Sequence, residues 1–245
     1  ISIVTDNRYF YDDTLGIYVD GCFDKDTFNF VHDWHRPIHL DYITEENELV
    51  LNQWSEIRIA GATSRLLPQK SLSLYSKKRL SGGEFNYSFW SEKPNITSTH
   101  SFLLRNSGND FLRGNLRDPI IQSYAGLCFE DLDYQAYQPV IVYINGEYVG
   151  LMNLRERTNA VFVETNHPEA KEFDIIENWV QCNSGDTDEA IRFYRLIKDN
   201  NVTYEQLEKE MDVNEFLNLL IIEAYFGNID FPDNNIVMWR EKKEG

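Results

Sequence analysis

Val140-Ile141-Val142-Tyr143-Ile144-Asn145-Gly146-Glu147-Tyr148-Val149-Gly150-Leu151-Met152-Asn153-Leu154 is the most legible stretch of this chain. A β-branched run leads into Asn145-Gly146, and a second apolar-rich run leaves it. Asn and Gly both tolerate positive φ, so the stretch predicts a β-hairpin closed by a type I′ turn. Upstream, Ile57 and Ile59 alternate with polar residues in Ser55-Glu56-Ile57-Arg58-Ile59, and Leu72 and Leu74 do so in Ser71-Leu72-Ser73-Leu74-Tyr75. That period of two predicts half-buried strands. Downstream the pattern turns helical. Asp186 with Glu189 predicts a helix start ahead of Ala190, Ile191, Tyr194 and Ile197. Thr203 with Gln206 and Asp212 with Glu215 predict two more. The last of these, about residues 213–226, is apolar nearly all round, which predicts burial on every side, and Gly227 is a natural stop. The expectation is an α+β chain with two segregated lobes. A β-rich lobe would span about residues 1–160 and a helical lobe about 161–245, with the change between Asn159 and Asp174.

Composition narrows the class. The 245 residues suffice for a sizeable core. Hydrophobic residues at 42% and charged residues at 26% are ordinary globular values. Aromatics reach 14%, as in β-rich cores and ligand clefts. A net charge of -17, from 23 Lys+Arg against 40 Asp+Glu, repels phosphate backbones and argues against nucleic acid as the partner. A nucleotide would need a local cation to overcome that field. Cys22, Cys128 and Cys182 lie far apart with no zinc spacing and read as free, buried thiols. His32, His35 and His39 lack the helical spacing of a metal site, since Trp34 and Pro37 interrupt any helix. The apolar stretch Leu219–Phe226, interrupted by Glu223, is too short to cross a bilayer, so no membrane span is expected. The chain opens on Ile1 without a readable signal peptide, and a further segment upstream is expected.

Past the apolar helix comes Asn228-Ile229-Asp230-Phe231-Pro232-Asp233-Asn234-Asn235, then a predicted strand Ile236-Val237-Met238-Trp239. Asp230 and Asn235 are separated by four residues, the D-x-x-x-x-N spacing of protein-kinase catalytic loops. In that chemistry the Asp orients a hydroxyl nucleophile and takes its proton, while the Asn oxygen ligates a phosphate-bridging metal ion. By itself the spacing is weak, because Asp and Asn are also common turn formers.

Further segments accompany that loop: Gly16-Ile17-Tyr18-Val19; Ile57-Arg58-Ile59-Ala60-Gly61, Ser64-Arg65 and Pro68-Gln69-Lys70-Ser71; Leu104-Arg105-Asn106, Gly108-Asn109-Asp110 and Arg117-Asp118; Tyr143 through Gly150 and Leu154-Arg155-Glu156; and Gly227-Asn228-Ile229-Asp230 with Asn234-Asn235. Taken in order along nearly the whole chain, they resemble the CotH kinase family, named for spore coat protein H. The resemblance implies an atypical protein-kinase-like two-lobed fold, ATP with Mg or Mn as cofactors, and phosphorylation of Ser/Thr on a surface or coat protein. Action outside the cytoplasm, on a bacterial cell or spore surface, is implied with it. Carried onto this sequence, Asp230 would be the base and Asn235, or Asn234, the metal ligand. Lys70 would contact phosphate, Glu156 would pair with Lys70, and the Gly61 and Ser64-Arg65 turn would cover the phosphates in place of an absent G-x-G-x-x-G loop. Arg105, Asn109 and Asp110 are candidates to line the cleft, whereas Arg117 and Asp118 read as structural. No Asp follows Asn235 to serve as the family's second metal ligand, so the domain is expected to continue past Gly245. Two other readings stand beside this one: a catalytically inactive kinase-like surface scaffold, and a carbohydrate-active domain suited to the carboxylates and aromatics.

Overall fold

The computed structural model describes residues 1–24, 27–179, 181–232 and 234–242. Its most regular feature grows from the strands just read. Among the described residues, β1 (Ser2–Val4), β2 (Arg36–Ile43), β3 (Leu49–Ala60), β4 (Ser71–Tyr75), β5 (Ser101–Arg105), β6 (Tyr137–Ile144) and β7 (Glu147–Arg155) close into a barrel of order β1-β2-β3-β4-β5-β7-β6. β1 closes it, pairing antiparallel with β2 (Ile3 opposite Leu40) and parallel with β6 (Ile3 opposite Ile144). The register stacks apolar residues inward: Ile57 faces Leu74, Leu72 faces Leu104, and Leu104 faces Leu154. All of these are fully buried, as are Ile38, Leu40, Phe102 and Val142. Closure matters because it leaves no unpaired edge. The β6–β7 turn has the expected chemistry, with φ of 50° at Asn145 and 85° at Gly146.

The chain divides into two compact units, Ile1–Ile120 with Gln135–Arg157, and Ile121–Tyr134 with Thr158–Gly245. The barrel lies in unit one with two short helices, α1 (Asn7–Tyr11) and α2 (Lys78–Ser81). Helix α3 (Arg117–Cys128) runs from unit one into unit two. Unit two holds α4 (Ala160–Asn166), α5 (Thr187–Ile197), α6 (Tyr204–Glu208) and α7 (Val213–Phe226). It also holds a three-stranded sheet of order β10-β8-β9, built from β8 (Phe173–Glu177), β9 (Gln181–Ser184) and β10 (Val237–Glu241).

This corrects the expected fold class. The chain does not form a two-lobed kinase-like α+β fold with a helical C-terminal lobe. Its dominant element is a closed seven-stranded barrel, and the residues expected to be helical carry a sheet of their own. Two signals were too short to read. β1 has three residues and acquires its meaning only by sitting between β2 and β6. β8 and β9 hold nine residues between them, and β8 also pairs with a β10 sixty or more positions away.

The helix starts follow the sequence. Asp186 accepts hydrogen bonds from the Asp188 and Glu189 amides, Thr203 and Gln206 form a reciprocal capping box, and Asp212 accepts from Glu215 N. α7 ends at Gly227, where φ is 68°. Its burial does not follow. Ile222 is the buried residue of α7, packed with Ala125 and Leu132 beside Ile121, Phe129 and Leu219, while Leu217, Leu220, Ile221 and Tyr225 are exposed. The thiols are free, but Cys22 and Cys128 are exposed and Cys182 is half-buried, because they sit at a bend in an irregular segment, at the last residue of α3 and on strand β9.

Candidate functional site

In unit one, strand ends set the candidate residues. Lys70 immediately precedes β4 and is buried. Its Nζ donates to the carbonyls of Arg65 (2.7 Å) and Leu67 (3.2 Å) and lies 4.0 Å from the Phe30 ring centroid. Burial pulls its pKa down, and Asp20 opposes that pull. The Lys70 amide donates to the Tyr18 hydroxyl at 2.9 Å. Arg65 fastens the turn before it. Its guanidinium donates to the carbonyls of Gly61 and Val31, both at 2.5 Å, and reaches Asp33 at 3.2 Å. Both cations thus close the 61–70 turn onto its surroundings.

Glu156, just past β7, is also buried. It makes an ion pair with Lys93, whose Nζ donates to Oε2 at 2.7 Å; the Ala136 amide donates to the same oxygen at 2.8 Å. Sequence reasoning named Lys70 as the partner and missed Lys93. Nothing in Trp90-Ser91-Glu92-Lys93-Pro94 has a period that would reveal it.

The Asn- and Arg-rich family-like segments form a structural network. Asp110 accepts from the Gly114 and Arg117 amides, and these bonds, Arg117 N first, lower its pKa. Asp118 lies 3.1 Å from Arg105 and accepts from the fully buried Arg155 at 2.7 Å. Asn106 accepts from Ser71 Oγ (2.8 Å) and donates to the Gln69 carbonyl (2.5 Å), fastening β5 to the start of β4. These residues hold the strand ends of the barrel together.

In unit two the Asp230–Asn235 loop joins α7 to β10. The positive φ of Gly227 turns the chain out of the helix. Asn228 then accepts from the Asp230 amide (3.1 Å) and donates to Glu223 Oε2 (2.6 Å). The Asp230 carbonyl accepts from Asn234 N at 2.9 Å. Asn235, at a φ of 60°, donates through Nδ2 to Asp230 Oδ2 at 3.3 Å. The two residues that sequence spacing singled out are therefore in contact, on an exposed loop. Asp233 and residues 243–245 lie outside the described residues. The far side of the loop is anchored. Ile236 is buried and its carbonyl accepts from Asn178 N at 2.9 Å. On β10, Trp239 donates to Asp133 (2.9 Å), which also bonds His167 at 2.8 Å. Arg240 donates to the buried Asp174 at 2.8 Å. Asp174 in turn accepts from the Asp186 amide ahead of α5 (3.0 Å) and lies where a Cβ on Gly185, at a φ of 104°, would fall. Only glycine fits there.

Among the described residues, no cluster of three or more His, Cys, Asp or Glu side chains forms a metal cage. The loop places the Asp230 carboxylate beside the Asn235 amide, which donates to it through nitrogen.

The family comparison, and not the barrel, suggests a kinase-like or related domain. More particularly, this chain belongs to the CotH kinase protein family, whose family model matches residues 57–245. Comparison with curated proteins gives no match. Among the described residues, no helix is long and apolar enough to cross a membrane.

Proposed function

We propose that this domain transfers the γ-phosphoryl group of ATP to a Ser or Thr hydroxyl of a protein at a cell or spore surface. One observation carries the reading: in a chain of this family, Asp230 and Asn235 stand 3.3 Å apart on a loop anchored at both ends. Asp230 orients the acceptor hydroxyl and takes its proton. Asn235, with Asn234 beside it in the same loop, offers an amide oxygen to Mg or Mn. The metal supplies charge neutralisation on the phosphates, which a domain of charge -17 needs. Lys70 and Arg65 hold the 61–70 turn in shape, and Glu156 holds Lys93.

The test is thermal unfolding with and without ATP and Mg or Mn, run beside incorporation of labelled phosphate into casein. The expected result is a metal-dependent rise in melting temperature and label transfer. Asp230→Asn should keep the rise and lose transfer by a factor of 100 or more, on the order of what a positioned base contributes. Neither shift nor transfer in the wild type would overturn the reading and leave a scaffold.

A further inference from the structure

Unit two contains an apolar pocket of about 430 Å³ that the phosphoryl-transfer reading does not use. Its walls are Trp179, Tyr194, Ile197, Leu207, Met211 and Phe216, and Pro232 of the Asp230–Asn235 loop forms one side. The loop is fastened to this wall. Trp179 Nε1 donates to the Pro232 carbonyl at 2.6 Å, and the Phe216 ring lies 6.1 Å from Trp179 and 6.3 Å from Phe231. Whatever fills the pocket therefore lies beside the residues that would receive the acceptor hydroxyl.

Three features identify the occupant. The lining is aromatic and aliphatic, and the volume falls in the range of ligand sites, so it takes a bulky apolar group. Asn178 lines the same pocket, and its Oδ1 is buried without a hydrogen-bond donor among the described residues. Such an acceptor is costly to leave unmet, and a peptide N–H entering the pocket supplies what it lacks. The chain that delivers Leu207, Met211 and Phe216 carries Asp199, Glu205, Glu208, Glu210, Asp212 and Glu215 against Lys209, with Lys198 at the pocket itself. Glu210 is paired with Arg192 at 2.6 Å; Glu205, Glu208 and Asp212 are exposed. That field attracts a cationic partner and repels an anionic one.

We propose that this pocket docks the substrate protein through a bulky apolar side chain flanked by Lys or Arg, and so selects which hydroxyl reaches Asp230. The proposal rests on the phosphoryl-transfer reading for its purpose, but binding is measurable without catalysis. The probe is a dye-labelled peptide holding one Phe among Lys residues and one Ser, followed by fluorescence anisotropy. Replacing its Phe by Gly, or its Lys residues by Glu, should each weaken binding at least tenfold. The paired surface changes Glu205→Lys and Glu208→Lys should weaken the Lys peptide severalfold. Phe216→Ala should abolish discrimination between the Phe and Gly peptides, with circular dichroism confirming the fold. Equal binding of all three peptides, or no response to either variant, overturns the proposal. Displacement of the peptide by ATP with Mg also overturns it, assigning the pocket to nucleotide while leaving phosphoryl transfer standing. Peptide binding with the stated selectivity but no phosphorylation leaves docking intact and sinks the transfer reading instead.

Discussion

Residues 137–155 and residues 213–229 are both rich in apolar amino acids, yet they end in opposite environments. In the hairpin β6–β7, Val142, Ile144, Met152 and Leu154 are fully buried, because each inward side chain meets a facing strand and the barrel closes behind it. In and just past α7, Ile222 is 4% exposed, whereas Ile221 is 55% and Ile229 is 96% exposed. A strand with period two needs one apolar face, and its paired neighbours supply the cover. A helix apolar all round needs partners on every side, and the described residues cover α7 over only part of its surface. Apolar composition measures demand for burial; topology decides how much of that demand is met.

The comparison can be broken most directly at the barrel's buried ion pair. Glu156→Gln should cost roughly 3–5 kcal/mol, because it removes the charge of the buried carboxylate that the Lys93 ammonium pairs with. Adding Lys93→Met should recover much of that loss in denaturant titrations. A cost below about 1 kcal/mol would show the pair to be solvated. Next comes the barrel interior, where Leu104→Ala should cost about 3 kcal/mol, in the range of core truncations. On α7 the same kind of truncation should split by position. Ile222→Ala should cost about 2 kcal/mol or more, while Ile221→Ala should stay within about 0.5 kcal/mol, like other surface changes. Equal costs at 221 and 222 would mean that the exposed face of α7 is covered in solution.

The smallest effect is one of pH. Glu215, near the start of α7, has its pKa pushed up, first by burial and then by the Asp133 carboxylate, with Asp212 adding to it and the Asp133 N–H and His167 opposing. The folded state therefore holds its proton to higher pH than the unfolded chain does. Stability tied to this group is fully present below the unfolded carboxylate pKa and is lost as pH rises through the raised folded value. Glu215→Gln should flatten that fall in melting temperature while leaving the acid side unchanged. An unchanged slope would assign the effect elsewhere.

The sequence was most legible where the physics is local. The Asn145-Gly146 turn, the caps at Asp186, Thr203 and Asp212, and the Gly227 stop each depend on a few adjacent residues, and each stands where it was expected. Across the Asp230–Asn235 spacing the structure adds a contact that the spacing itself did not predict, the Asn235 amide donating to Asp230. What the sequence could not reveal depends on residues far apart in the chain. Barrel closure needs β1 to meet β6 across about 140 positions. Lys93 finds Glu156 across 63. The β8–β10 pairing brings residues 173–177 to 237–241. No period or cap encodes such meetings, because their free energy appears only once the intervening chain has folded. The local turns, caps and helix stop were thus determined by sequence alone. The closed barrel, the partner of each buried charge and the burial of each face of α7 were decided by tertiary structure, since burial belongs to surfaces in contact and not to residues one at a time.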